Sequence, residues 1–194
     1  LWCLSNFSFL RGASRPEELV ERAHALGYAA LALTDECSLA GVVRAHVAAK
    51  ELGLKLLLGA QFEVQCDTPF TLVLIARNLE GYGNISEFIT SLRRASAKGT
   101  YELVLDQLRG ADLQDCLALV APRRGLQPGQ LAQVAEWAQR EFEDRCWMLA
   151  LRERVLGDEM WLYRLREASA ATGIPLVAAG DVHMHLRSRK PLQD

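Results

Sequence analysis

Two short polar clusters carry the residue types that hydrolytic chemistry uses. Asp35-Glu36 ends the apolar run Leu31-Ala32-Leu33-Thr34, and Asp181-Val182-His183 follows Leu176-Val177-Ala178-Ala179 and Gly180. An Asp-x-His pair at the end of a strand aims both side chains the same way, because side chains alternate with a period of two. Several carboxylates and imidazoles converging on one point can hold a metal ion, acidify a bound water and grip a phosphate oxygen. Other polar residues at predicted strand ends are Ser5, Asn6, Gln61, Glu63 and Thr71. Within this set only Asp35, Asp181 and His183 are convincing ligands. Three ligands hold one ion weakly, and two-metal phosphoester cleavage needs more. Asp35 equally fits a helix N-cap or a loop acid.

The remaining chemistry-bearing residues point elsewhere. His24 and His46 fall on predicted helices away from any strand end, and His185 precedes Arg187, Arg189 and Lys190, which suits an interface. There is no glycine-rich phosphate loop, no Gly-x-Ser-x-Gly elbow and no Cys/His finger spacing. Arg123 and Arg124, like the basic cluster near the end of the chain, are the kind of pair that usually forms a solvated face.

Apolar runs and helical periods must position these residues. Strands are predicted at residues 1–4, 29–33, 54–58, 72–76, 116–120, 146–151 and 176–179, with residues 61–65 a continuation past Gly59 or a new edge strand. Ser14 and Glu17 predict a capping box for a helix whose apolar face is Leu19, Val20, Ala23 and Leu26. Ser38 is the predicted cap of a second helix, with Val42, Val43, Ala45, Ala49 and Leu52 recurring at helical spacing until Gly53. Further helices are predicted at residues 79–95 behind the cap Asn78, at 129–142 and at 158–172. Residues 98–115 give a weak signal, with a short strand at 101–105 and a helical turn at 106–108. Strand and helix alternate about seven times, which predicts one α/β domain over residues 1–194, a parallel layer closed or nearly closed into a barrel.

With 194 residues, half of them apolar, the chain is long enough to bury a core, and its net charge of −2 gives no overall pull on nucleic acid or on anionic membranes. Five cysteines without a Cys-x-x-Cys pair predict buried thiols in a reducing cytoplasm. No run approaches the roughly 18 apolar residues of a membrane span, and the start lacks a signal-peptide layout. Leu1 already reads as strand and residues 189–194 close no element, so a domain cut from a longer polypeptide is expected.

The segments LWCLSNFSFLRGAS, LALTDECSLAG, LLLGAQFEV, LVLIARNLEGYGN and LVAAGDVHMHLRSRKPLQD resemble, in order and over essentially the whole chain, a known family. It is the polymerase-and-histidinol-phosphatase (PHP) domain that opens bacterial C-family DNA polymerase III alpha subunits, closest to the error-prone, damage-inducible branch. The resemblance implies a distorted β/α barrel of about seven strands. Metal-binding members begin with His-x-His, where this chain has Trp2 and Leu4, and carry Thr-Asp-His where it has Thr34-Asp35-Glu36. Gln61 stands where relatives have Glu or Asp, Thr71 where an imidazole is common, and Pro122 in place of a ligand cysteine. The resemblance therefore implies a vestigial metal site at Trp2, Leu4, Asp35, Glu36, Gln61, Thr71, Asp181 and His183, with only Asp35, Asp181 and His183 left as ligands.

Expected from this is a non-catalytic, structural domain of a translesion polymerase with no cofactor of its own. The alternative is a residual phosphoesterase or proofreading exonuclease using Zn²⁺ or Mn²⁺ at low occupancy, and a weaker one a free-standing enzyme of the wider superfamily. Expected partners are the palm and thumb of the same polymerase chain, DNA through that parent enzyme, and other proteins of a mutagenesis complex. Membranes are not among them.

Overall fold

The computed structural model describes residues 1–193. They form a mixed α/β fold that divides into two compact units, one built from Leu1–Gln61 with the residues from Asp181 onward, the other from Phe62–Gly180.

In the first unit, α1 (Pro16–Ala25) precedes β1 (Ala30–Glu36), and α2 (Val42–Leu52) leads into β2 (Lys55–Val64). The strands pair in parallel, from Ala30 opposite Lys55 to Glu36 opposite Gln61. A parallel pair requires a crossover of a dozen or so residues, which α2 supplies. The first strand thus runs on through Asp35 and Glu36 rather than stopping before them, and residues 55–64 are one unbroken strand, not two. Residues 1–4 form no strand. Cys3 makes a single parallel bridge to Val182, and its carbonyl accepts from the Thr34 amide at 2.9 Å.

The first helix starts one residue later than its predicted box. Glu18 reaches back to the Arg15 amide at 2.8 Å, and Ser14 is drawn off to His185. Leu19, Val20 and Ala23 are buried as expected, whereas Leu26 and Val43 face solvent. Leu26 lies beyond the last helical turn, and Val43 sits on the side of α2 opposite Val42, Ala45 and Ala49.

The second unit holds the end of β2, then β3 (Phe70–Ala76), α3 (Leu79–Ala95), α4 (Leu105–Arg109), β4 (Cys116–Pro122), α5 (Pro128–Phe142), β5 (Cys146–Ala150), α6 (Asp158–Thr172) and β6 (Leu176–Ala178). Strands lie in chain order, β4-β5 and β5-β6 parallel but β3-β4 antiparallel, with Phe70 opposite Pro122 and Ala76 opposite Cys116. The reversal follows from the weakly patterned segment before β4. After α3 the chain makes a second excursion, pinned where the Gln65 amide donates to the Leu103 carbonyl at 2.8 Å. It then returns to the end that β3 left, where the Arg77 amide meets the Asp115 carbonyl at 3.0 Å, so β4 must run the other way. The predicted strand at 101–105 reduces to a bridge between Gln65 and Val104.

Strands buried on both faces read as continuous apolar runs, and β3 and β4 behave so, with Leu72, Val73, Leu74, Ala118, Leu119 and Val120 all buried. Phe62 packs edge-on against Phe88 at 5.2 Å between centroids, and Phe70 against Trp137 at 4.8 Å. All five cysteines are free thiols, four of them buried. Among the described residues no helix is long and apolar enough to cross a membrane.

Candidate functional site

The exit of β1 buries Asp35 almost completely, at 1% exposure. A charged carboxylate there needs donors, and the loop after Leu4 supplies them. The Ser5 amide and the Ser8 hydroxyl donate to Oδ1 at 2.7 and 2.6 Å, and the Ser5 hydroxyl donates to Oδ2 at 2.7 Å. Burial pushes the Asp35 carboxyl above its ordinary range, against the opposing pull of the Ser8 and Ser5 hydrogen bonds. The Ser8 hydroxyl also accepts from the Glu36 amide at 2.9 Å, and Arg11 donates to the Glu36 carboxylate at 2.7 Å. Gly41 seals the arrangement. A Cβ there would stand 3.0 Å from Asp35 Oδ2 and 3.1 Å from Ser5 Oγ, so any larger residue would require these side chains to give way by a few tenths of an ångström.

Trp2, Cys3 and Leu4 lie alongside Val182. The Val182 amide donates to the Trp2 carbonyl at 3.0 Å and the Leu4 amide to the Val182 carbonyl at 2.8 Å. Trp2 is 5% exposed, and Leu4 and Gln61 are fully buried. The Trp2 indole N–H donates to Gln61 Oε1 in a short contact, while Gln61 Nε2, equally buried, has no partner. Because Oε1 must face the indole N–H, turning the amide over would lose that bond without gaining another.

Asp181 sits in the left-handed region at φ 42°, a conformation Asp tolerates better than most residues. Its Oδ1 lies 2.9 Å from His183 Nε2, and His183 Nδ1 lies 2.7 Å from Gln193 Nε2. An amide nitrogen can only donate, so the network assigns the proton to Nε2, which donates to Asp181. His185, at the next alternate position, meets the Ser14 hydroxyl at 2.7 Å, beside a Glu18–Arg189 ion pair at 2.5 Å. His24 and His46 are exposed on α1 and α2.

Thr71 belongs to the second unit, where its hydroxyl donates to Glu63 Oε1 at 2.8 Å and Arg123 lies 3.3 Å from Glu63 Oε2. Pro122 ends β4 opposite Phe70.

These residues do not fit a metal ion. Trp2 and Leu4 present no donor atom, Gln61 Oε1 is occupied by the indole, and both ring nitrogens of His183 are engaged. Three protein donors already crowd the Asp35 oxygens, which offer about four lone-pair sites. Among the described residues no group of three or more His, Cys, Asp or Glu side chains is placed to hold an ion. What the arrangement does provide is a dense hydrogen-bonded joint between the chain start, β1, β2 and the segment after Gly180. Ser8, Arg11, Ser14, Gly41 and Gln193 all take part and were missed from sequence. For Ser8, Arg11 and Ser14 the one available signal was the polar and aromatic loop between Leu4 and the first helix; Gly41 and Gln193 gave none.

Comparison with known proteins agrees with the fold. The chain is 50% identical over 194 residues to the error-prone DNA polymerase of Methylococcus capsulatus, covering all of this chain and 18% of that one. It is 48% identical over 205 residues to the protein of the same name from Bordetella parapertussis, covering all of this chain and 20% of that one. The chain thus spans about a fifth of the length of the curated relatives it matches. Among solved structures, an amidohydrolase from Chromobacterium violaceum superposes with a TM-score of 0.74 at 16% identity, covering 95% of this chain and 87% of that one. A protein from Bifidobacterium adolescentis named as a metal-dependent phosphoesterase superposes at 0.68 and 18% identity, covering 94% and 86%. With the PHP domain profile matching residues 1–151, the chain belongs to the PHP domain family.

Proposed function

We propose that this chain is a non-catalytic bracing domain of an error-prone DNA polymerase, acting in damage-induced translesion synthesis, with a PHP site that has given up its metals. The observation that carries this reading is the Trp2–Gln61 hydrogen bond, with Leu4 buried beside it. An indole and an isobutyl group fill space where metal-binding relatives, by the resemblance, place imidazoles, and a neutral amide takes the position of an acid. The carboxylate that remains at the exit of β1 is held by serine donors instead of a cation. Such a joint fixes geometry without moving protons or phosphoryl groups, which suits a domain that supports a catalytic core lying elsewhere in a longer polypeptide. Its partners on this reading are the rest of the polymerase chain and, through it, DNA in the cytoplasm.

Metal titration and nuclease assays on the purified chain test the proposal together. An ion that binds only the native state stabilises it by RT ln(1 + [L]/Kd), so a real site reveals itself in thermal unfolding at high Mn²⁺ or Zn²⁺. We expect little shift, and 3′-exonuclease and phosphomonoesterase rates equal to a buffer control with the same metals. A shift of many degrees abolished by Asp181→Ala, or turnover abolished by His183→Ala, would replace this reading with that of a working phosphoesterase.

A further inference from the structure

The first unit ends in a short 3₁₀ helix, Arg187–Leu192. Histidines aside, the stretch from Val182 to Gln193 holds three cations, Arg187, Arg189 and Lys190, and no acid. A 3₁₀ helix completes a turn every three residues, so side chains three apart eclipse one another, separated by about 6 Å along the axis. Arg187 and Lys190 form such a pair. Both are exposed, and neither makes an ion pair among the described residues.

The start of α1 adds a third cation. Ser14 bonds twice to His185, accepting from its amide at 2.9 Å and meeting its ring nitrogen at 2.7 Å, which holds the first turn of α1 against this segment. Glu18 is then the one acid that faces the basic stretch. It pairs with Arg189, lies 4.0 Å from His185 and is within electrostatic reach of Arg15. The neighbouring Glu17 is engaged by Arg44 at 3.3 Å, and Glu21 and Arg22, further along α1, cancel in charge. Arg189 is therefore neutralised, while the exposed Arg15, Arg187 and Lys190 are left in excess.

The whole chain carries a charge of −2, so this excess is local. Cations eclipsed on successive turns repel one another unless an anion lies across them. A run of phosphates meets that condition, and arginine and lysine are the side chains that grip it without reading sequence. A lipid surface fits less well. Interfacial helices dock through a large apolar face opposite their cations, and two 3₁₀ turns containing Pro191 present none.

We infer that Arg15, Arg187 and Lys190 form a direct contact for the phosphodiester backbone of a DNA strand. The inference rests on the polymerase reading above, which brings DNA to the chain only through its parent enzyme, and it assigns the contact to residues of this domain.

Anisotropy of fluorescein-labelled dT20, titrated with the purified chain, tests this. Three phosphate contacts on a single strand give a salt slope of about −2, so affinity should fall about 20-fold between about 50 and about 200 mM KCl. In Arg187→Gln/Lys190→Gln one contact remains, and the same salt step should cost only about threefold. That variant should also bind at least fivefold more weakly at the lower salt, with an unchanged melting temperature because both side chains face solvent. Arg94→Gln/Lys98→Gln removes the same charge from exposed positions in the second unit and should bind like the parent. The inference is overturned if dT20 gives no anisotropy change at several hundred micromolar chain. It also falls if both double variants lose affinity equally, if the salt slope of Arg187→Gln/Lys190→Gln matches the parent's, or if phosphatidylglycerol vesicles retain the chain while dT20 does not. Any of these results leaves the bracing role standing, because that reading is decided by the metal titration and nuclease assays.

Discussion

Replacing Trp2 by Phe keeps an aromatic ring in the joint but removes its one donor. Gln61 is fully buried and its Nε2 already lacks a partner, so in Trp2→Phe the whole amide is left unpaired. An unsatisfied buried polar group costs about 1–3 kcal/mol, and the smaller ring adds a cavity contribution, so a loss of about 2–4 kcal/mol is expected. Gln61→Leu should cost less, about 1–2 kcal/mol, because it orphans the indole N–H yet disposes of an amide that was half unpaired from the start. With both changes nothing polar remains buried there. The double variant should therefore be more stable than the sum of the singles implies, by about 1–3 kcal/mol of coupling. Equilibrium urea unfolding of all four proteins, with m-values compared to check that the transition stays two-state, measures each corner of the cycle. Additivity within about 0.5 kcal/mol, or a Trp2→Phe protein as stable as the parent, would refute the argument that this pair locks the chain start to the end of β2.

Three further outcomes follow from the geometry. Gly41→Ala places a methyl 3.0 Å from Asp35 Oδ2, and the overpacking should cost about 1–3 kcal/mol in the same titration. Asn78 caps α3 by accepting from the Gly81 amide at 2.9 Å, so Asn78→Ala should lose about 0.5–2 kcal/mol, read as a lower melting temperature. Burial tends to raise the Asp158 carboxyl, but the Arg154 amide and the Arg124 guanidinium outweigh it and hold the group below its ordinary range. Its stabilisation is therefore present above the ordinary carboxylate pKa and disappears as pH falls through the lowered value. The stability gap between the parent and Asp158→Asn should be widest near neutrality and close on acidification. A gap that widens in acid would reverse the sign of that linkage.

Much of the architecture could be read directly from residue pattern. The helix at Leu79–Ala95 begins behind its cap Asn78 and the one at Asp158–Thr172 ends at Gly173, as their apolar period places them, because helix boundaries depend on local hydrogen bonding and local backbone freedom. The α/β class follows for a similar reason, since alternating apolar runs and amphipathic helices have few ways to bury both. The family was legible too, in motif order along the whole chain.

Strand direction and side-chain partnership were not. The antiparallel β3-β4 pair depends on where the excursion through Leu103 lands, and nothing in the apolar run of β4 encodes its orientation. Ser14 satisfies every local rule for an N-cap, yet its hydroxyl goes to His185, 171 residues away. Asp35 and Gln61 could be picked out from sequence because polar residue types are conspicuous at strand ends, and Trp2 only because the family resemblance places it where relatives carry a histidine. That Asp35 is held by Ser5 and Ser8, that Trp2 spends its N–H on Gln61, and that Gly41 packs tightly beside Asp35 are decided only once distant segments pack. Residue type and period act over a few positions of the chain, so the sequence by itself determines elements and candidates. A buried polar atom takes whichever partner the packed fold brings within about 3 Å, so the partners belong to the tertiary structure alone.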